Sequence, residues 1–365
     1  MHIDLFDYKF DEKQIAKHPT VKRDEAKLLA VDVNNFKIEH KKFHEITKYI
    51  NNGDIVAVNN SYVKKARIFG KRASGGKVEI FITEFPMTIS FPLKLKALLK
   101  SHKTIKENEE IAIIEHKDDE KPHSVLITVD AFKNLGDGNY EILIKSKHDY
   151  DYIFGKCALI PLPPYIKRAV EKEDDLYYQT VYADDSAGLS VAAPTAGLHF
   201  NDTTIKEIEK KGGILATVSL NIGLGTFLPV RTADIRNHNI HKETYSISNE
   251  TATALNDAVK SGNKIILTGT STVRCLESSA LAETEGGVVK VAPGNNIETS
   301  LYIYPGYKFK ITKNLITNFH QPKSSLYIMI CALIGIEKTR AIYEEAIKNS
   351  YSLFSYGDAM YLYNI

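Results

Sequence analysis

Between about residues 66 and 158 the chain breaks into short apolar segments divided by turn-forming residues, a pattern found nowhere else in it. Arg67 to Lys71 and Val78 to Thr83 flank Ser74-Gly75-Gly76, which reads as a hairpin. Further short strands are expected at 111–115, 125–129 and 140–144, separated by the turn-rich stretches 118–122 and 136–139. So many short strands in so short a span call for a small antiparallel barrel or sandwich. The segment 91–106 carries several lysines and reads as a short helix interrupting the strands.

On either side the pattern is different. Gly53-Asp54 opens an apolar strand, Ile55 to Val58, that ends in Asn59-Asn60. Ile214, Ala216, Val218, Leu220 and Ile222 are apolar at every second position, as in a half-buried strand. Lys264 to Thr268 is a short strand that turns at Gly269 into a helix with Val273, Leu276 and Ala280 on one face. A further helix is expected over 337–349. Strands alternating with helices imply an α/β fold. The chain therefore reads as a larger α/β catalytic domain, residues 1–65 and 159–365, with a small antiparallel β-barrel domain, 66–158, inserted into it.

Charge and cysteine usage narrow the function. Lys+Arg is 47 and Asp+Glu is 45, a net charge of +2, which excludes a strongly basic nucleic-acid coat but not a local patch. The three cysteines, Cys157, Cys275 and Cys331, are far apart and form no C-x-x-C pair, so neither a disulfide framework nor a Cys-rich zinc site is expected. Acids stand near the N-terminus where a signal peptide needs lysine or arginine. The longest apolar run, Leu326 to Ile336, is shorter than the ~20 residues of a membrane helix and reads as a buried helix. A cytoplasmic monomer without membrane contact is expected.

Five stretches could carry chemistry. In Val191–Phe200, Pro194 and Gly197 bracket a tight loop that includes Thr195 and ends at His199. A helix should follow, capped by Asp202 or Thr204 and stopped at Gly212-Gly213. The positive end of that helix would lower the pKa of His199 and favour a neutral base; a capping or packing imidazole is the plainer alternative. Gly223 and Gly225 follow a strand and would let a ligand approach the backbone, but Leu228 stands where a dinucleotide fingerprint needs a third glycine.

His238, His241 and Glu243 place two imidazoles and a carboxylate within six residues, suited to acid–base work or substrate hydrogen bonding. A metal site would need a further ligand group that the sequence does not offer, and none is expected. Thr270, Ser271 and Arg274 sit at a helix start, where free N–H groups and a guanidinium could hold an anion; an ordinary cap beside a surface arginine is equally compatible. Lys94, Lys96, Lys100, Lys103 and Lys106 lie in an acid-free stretch, and Arg67, Lys71, Arg72 and Lys77 lie on the adjoining hairpin. Together they could face a phosphate backbone, unless they are a solvated surface.

These pieces occur in a familiar order. The chain resembles the S-adenosylmethionine:tRNA ribosyltransferase-isomerase family of queuosine biosynthesis, nearly end to end. The resemblance rests on Phe6-Asp-Tyr8, Ile15-Ala-Lys-His-Pro19, Arg23-Asp24, Asn59-Asn60, Ala66-Arg67, Gly75–Glu79, Ile160–Ile166 with Arg168, and Tyr178–Ala183. It is strongest at Val191–Phe200, Gly223–Phe227 with Pro229-Val230, and His238–Glu243. Leu301–Tyr307, Ile316–His320 with Pro322-Lys-Ser324, and Phe354–Met360 complete it.

The resemblance implies transfer of the ribosyl unit of S-adenosylmethionine to the aminomethyl group of a 7-deazaguanine in a tRNA anticodon. The ribose is rearranged to an epoxycyclopentanediol, giving epoxyqueuosine, with loss of adenine and methionine. S-adenosylmethionine is then a substrate, no prosthetic group is needed, and the partner is a tRNA anticodon arm. It also implies site residues: His199 as base, with His238, His241 and Glu243 as acid or as ribose and base ligands. Thr270, Ser271 and Arg274 would hold the methionyl end or a phosphate. Thr195, Gly223, Gly225 and His320 complete the substrate site, with Tyr356 and Asp358 against the purine-like ring.

The chain departs from the family pattern in several places. Asn221 stands where a histidine precedes the glycine run, and Tyr62 where a basic residue is usual. Gly269 to Arg274, Ser352-Leu353 and Phe91 depart less sharply. Asparagine hydrogen-bonds but moves no proton at neutral pH. A weakened or divergent tRNA- or nucleotide-binding homologue is therefore the alternative reading. An ordinary methyltransferase lacks support, since no Gly-rich loop is followed by an acid on a second strand.

Overall fold

A computed structural model describes residues 1–85, 90–114, 128–136, 138–223, 229–281 and 289–365. It resolves into two compact units: Met1–Tyr62, Pro163–Ala169 and Leu176–Ile365 in the larger, Val63–Leu162 and Val170–Asp175 in the smaller. The sequence boundaries at 66 and 158 stand beside structural ones at 63 and 162.

The larger unit opens with β1 (Lys27–Asp32), β2 (Lys37–Lys42) and β3 (Ile55–Asn59). The smaller unit supplies β4 (Arg67–Arg72), β5 (Lys77–Glu84), β6 (Leu93–Ser101), β7 (Glu110–Ile114), β8 (Thr128–Gly136) and β9 (Asn139–Lys145). Their order is β4-β5-β6-β9-β8-β7, and β7 pairs back onto β4. All of these pairings are antiparallel, so the six strands close into a barrel without a free edge.

The stretch 91–106 is not a helix: β6 occupies most of it. Leu93, Leu95, Ala97 and Leu99 are buried while Lys94, Lys96 and Lys100 are exposed. That period of two fits a strand with one wet face, and the lysines mark the outer wall of the barrel. β8 also runs on to Gly136, where the sequence suggested an end at 129. The expected strand residues 115 and 125–127, the turn 118–122 and residue 137 lie outside the described residues.

The chain then returns to the larger unit. Here lie α1 (Asp202–Lys210), β10 (Ile214–Leu220), β11 (Glu243–Ile247), α2 (Asn249–Ser261), β12 (Ile265–Thr268) and α3 (Thr270–Ser279). β13 (Gly294–Thr299), β14 (Asn314–Asn318), α4 (Ser325–Ile334), α5 (Ile336–Lys348) and β15 (Ala359–Tyr363) complete it. The nine-stranded sheet has the order β13-β11-β10-β3-β12-β14-β15-β1-β2. β10, β3, β12 and β14 are parallel to one another.

Both faces of this sheet are covered, which is why its middle strands are almost wholly apolar. Ile55, Ala57, Val218 and Leu267 point into one core, which also holds Leu255 of α2 and Leu276 of α3. Val56, Val58 and Ile266 point into the other, with Phe43, Phe200 and Ile208 of α1. α4 is buried, as its apolar run suggested. The cap of α1 is Asn201, not Asp202 or Thr204: its Oδ1 accepts from the Thr204 N–H at 2.8 Å. Among the described residues, no helix is long and apolar enough to cross a membrane.

Candidate active site

The four parallel strands end side by side at Asn59, Leu220, Thr268 and Asn318. In open α/β sheets the crevice beyond the carboxyl ends of the strands is where ligands bind. Here that rim forms a cavity of about 510 Å³, lined by the turn Ala193–Ala196, by Ile222, by Gly269–Ser271 and by Thr317, Asn318 and His320.

One wall is the start of α3. Gly269 occupies its N-cap at φ +85°, a conformation that favours glycine, and no side chain caps the helix. The first N–H groups of α3 therefore lack the usual side-chain acceptor, and Thr270 and Ser271 line the cavity. This is a ready-made place for a carboxylate or phosphate. Asn59 fixes the corner. Its amide donates to the Leu220 carbonyl (3.0 Å) and to Ser271 Oγ (3.2 Å), and its Oδ1 accepts from the Leu220 N–H (3.0 Å).

Glu243 and Arg274 meet in a buried ion pair, at 6% and 5% exposure. Sequence reasoning gave them separate tasks. The structure also engages the other guanidinium nitrogens, with the carbonyls of Leu301 (3.2 Å) and His241 (3.5 Å). The second Glu243 oxygen accepts from the Gly223 N–H at 3.1 Å. Arg274 thus shapes the site and adds little free positive charge to it. Gly225 lies outside the described residues.

His199 ends a short 3-10 turn, Thr195–His199, and is 5% exposed. Its ring lies 5.0 Å from that of Phe43. Its Nε2 meets the Asn318 amide nitrogen at 3.3 Å, and Asn318 Oδ1 accepts from the Thr195 hydroxyl at 2.8 Å. The threonine sets the amide, and the amide nitrogen leaves Nε2 the acceptor, so the ring is neutral with its proton on Nδ1. The pKa is pulled down to about 4, so the imidazole is unprotonated at neutral pH. The cause differs from the expected helix dipole: burial dominates and the Arg23 charge adds to it. Asn318 was missed as a site residue, although it lies in the motif Ile316–His320 and in a polar pair, Thr317-Asn318, ending an apolar strand. Asn318→Asp should raise the pKa of His199 by about 1–3 pH units, because a carboxylate beside Nε2 favours the imidazolium. A ring-proton NMR titration checks this, and an unmoved pKa would remove Asn318 from the site.

On its other side His199 borders a cleft of about 260 Å³ with Pro19, Arg23, Tyr177 and Tyr356. Arg23 donates to the carbonyls of Leu198 (3.1 Å) and Leu176 (2.8 Å), and its guanidinium lies 5.6 Å from the Tyr177 ring centre. Tyr356 and His199, far apart in sequence, are thus brought together. Asp358 is not at this cleft. Its two carboxylate oxygens accept from the backbone N–H groups of Lys27 (2.6 Å) and Ser352 (2.7 Å), and burial raises its pKa. It anchors the loop that carries Tyr356.

His320 is buried and pairs through Nε2 with Thr317 Oγ1 at 2.8 Å; burial holds its pKa near 3. His199 and His320 are therefore neutral in the folded protein yet take up protons near pH 6.5 once unfolded. Their contribution to stability is whole above about pH 6.5 and declines as the pH falls toward 4 and 3. Denaturant unfolding at pH 7 and pH 5 measures this; an equal midpoint at both would mean the two imidazoles are not shielded.

His238 and His241 lie beyond the ion pair, one half-buried and one exposed. They border a second cavity of about 410 Å³ with Leu301, Tyr302, Leu326 and Met329. Glu243, Arg274 and Leu326 line both cavities. Asn221 donates to Thr244 Oγ1 at 3.0 Å. Among the described residues, no cluster of three or more His, Cys, Asp or Glu could hold a metal ion.

On the barrel, Arg67 pairs with Glu79 (2.7 Å), Arg72 with Glu109, Lys94 with Glu141 (3.2 Å) and Lys96 with Glu84 (3.0 Å). Lys77 and Lys100 make no ion pair among the described residues. The basic stripe is thus interleaved with acids from neighbouring strands.

A rim of parallel strands, an open helix start and a shielded neutral imidazole form a site of the kind that α/β enzymes carry, with the chemistry to seat an anion and to exchange a proton. Residues 3–362 match the family described as queuosine biosynthesis protein, and the chain belongs to that family. It is 38% identical over 358 residues to an S-adenosylmethionine:tRNA ribosyltransferase-isomerase of Fusobacterium nucleatum, covering 98% of this chain and 96% of that one. A relative of the same description from Desulfotalea psychrophila is 40% identical, with 97% and 95% covered. The fold is similar to a crystal structure of the S-adenosylmethionine tRNA ribosyltransferase from Thermotoga maritima, at 28% identity and a TM-score of 0.51, with 98% and 99% of the two chains covered.

Proposed function

We propose that this protein transfers the ribosyl unit of S-adenosylmethionine to the 7-aminomethyl-7-deazaguanine of a tRNA anticodon and isomerises it, releasing adenine and methionine. The observation that carries the reading is the end-to-end match to relatives of that name, over a chain whose rim site is built from the matching motifs.

The geometry supports the following roles. The open start of α3 holds the methionyl carboxylate. The sulfonium acidifies the 5′ carbon–hydrogen bond, and His199, neutral and shielded, takes that proton at Nε2 as the Asn318 amide gives way. The cleft beside Tyr356 and Arg23 receives the target base once it leaves the anticodon stack. These steps run on acid–base groups, and turnover is expected to survive excess chelator; stoichiometric zinc with chelator-sensitive turnover would overturn that expectation.

Incubation with S-adenosylmethionine and tRNA carrying the precursor base, followed by nucleoside mass spectrometry, tests the function. Epoxyqueuosine should appear together with adenine and methionine. Folded protein that binds both substrates and releases neither product would be a binding homologue instead.

The outer wall of the barrel is the proposed contact for the anticodon arm, through Arg67, Lys71, Arg72, Lys77, Lys94, Lys96 and Lys100. Lys77 and Lys100, which have no acid partner among the described residues, are its strongest support. Each lost phosphate contact should flatten the log–log salt dependence of binding by about 0.7–0.9. Reversing Lys94, Lys96 and Lys100 to glutamate should weaken tRNA binding and reduce that slope, while S-adenosylmethionine binding changes little. Superimposable salt series for variant and wild type would mean that the tRNA is held elsewhere.

A further inference from the structure

We infer that the cavity bordered by His238, Tyr302 and Met329 is the seat of the donor's purine base, and that the Glu243–Arg274 pair divides it from the seat of the methionyl carboxylate. This rests on S-adenosylmethionine being the donor.

The partition follows from charge. The cavity at the start of α3 offers uncapped N–H groups and suits an anion. The second cavity offers no free charge of that sign from its buried wall. Arg274 is neutralised by Glu243, and its other nitrogens are engaged by carbonyls. An anion placed there would lose water and gain no unpaired guanidinium in return. Ile240, Leu301, Ile303, Leu326 and Met329 make most of the remaining wall apolar, with Ser325 and His241 as its other polar members. What fits is a flat, uncharged ring with nitrogen atoms at its edge.

Tyr302 and His238 line the cavity beside such an edge, with Ser325 and His241 near them. The hydroxyl of Tyr302 is buried and has no hydrogen-bond partner among the described residues. Buried polar atoms are rarely left so, and a ligand is one thing that satisfies them. The ring of His238 meets that of Tyr302 edge-on at 5.3 Å. Burial and the neighbouring His241 lower its pKa, so it presents one N–H donor and one bare nitrogen. A purine's ring nitrogens and exocyclic amine match this set. Because Glu243, Arg274 and Leu326 line both cavities, one extended donor can occupy the two at once.

The test uses adenosine and methionine as separate probes, with S-adenosylmethionine as the reference, in binding titrations of wild type and of Tyr302→Ala. Losing the aromatic wall should weaken adenosine and S-adenosylmethionine about tenfold or more, and leave methionine unchanged. Should Tyr302→Ala fail to fold, Tyr302→Phe decides, with adenosine several-fold weaker and methionine again unchanged. Adenosine binding equal to wild type in the folded variant, or a loss falling equally on methionine, would overturn the assignment. Wild type that binds S-adenosylmethionine but shows this null result rejects the purine seat alone. Wild type that binds no S-adenosylmethionine rejects the proposed function, and this inference with it.

Discussion

His199→Ala should cut ribosyl transfer about 10²–10⁴-fold while tRNA binding stays near that of wild type. The imidazole is buried, neutral and oriented by Asn318, and it borders both the rim cavity's hydrogen-bond chain and the Tyr356 cleft. A group held in this way can accept a proton at neutral pH without first losing one. Alanine would also leave space beside Phe43, so a loss of stability has to be separated from a loss of chemistry. His199→Gln keeps most of the volume and can hydrogen-bond, but it cannot take the proton. Both variants should bind S-adenosylmethionine and tRNA yet release adenine slowly in a single turnover. Near-native release from a folded variant would make His199 structural and place the base elsewhere.

The second large effect is on stability. Glu243→Ala should cost about 3–5 kcal/mol, because it strands a guanidinium inside the protein and removes the acceptor of the Gly223 N–H. Arg274→Met should be comparably damaging, since it strands the carboxylate. Replacing both partners, by Leu at 243 and Met at 274, should recover much of the loss, because no unpaired charge then remains. The double variant should nevertheless be inactive, as the wall between the two cavities is gone. Denaturant unfolding of the three variants measures this. Single variants within about 1 kcal/mol of wild type would show that water reaches the pair.

Local pattern made much of this architecture readable. The hairpin at Ser74–Gly76, the alternating strand from Ile214 and the helix after Gly269 depend on neighbours a few residues away, and the structure has all three. The stretch 91–106 was misread because its lysines drew more weight than the every-second-residue spacing of Leu93, Leu95, Ala97 and Leu99. Long-range contacts were beyond reach. Asn318 acts on a ring 119 residues away, and Arg274 on a carboxylate 31 residues away. Asp358 sits in a motif with a strong family resemblance, yet one of its contacts, to Lys27, spans 331 residues. A motif marks that a side chain matters; only the fold shows whether it meets the substrate or a backbone amide.

The strand order of the large sheet has a consequence for how the protein is made. β3 lies between β10 and β12, and β1 lies against β15, so strands emerging early from the ribosome wait for partners translated much later. The barrel strands, by contrast, are nearly contiguous in sequence and can close while synthesis continues. Local pairing is quick and distant pairing slow, so the nascent chain should pass through a state with a folded barrel and an unassembled larger sheet. In that interval the apolar faces of β1 and β3 have nothing to cover them. A slow ribosome or a scarcity of chaperones should therefore reduce the yield of this enzyme through its early strands, leaving the barrel as the protease-resistant remnant.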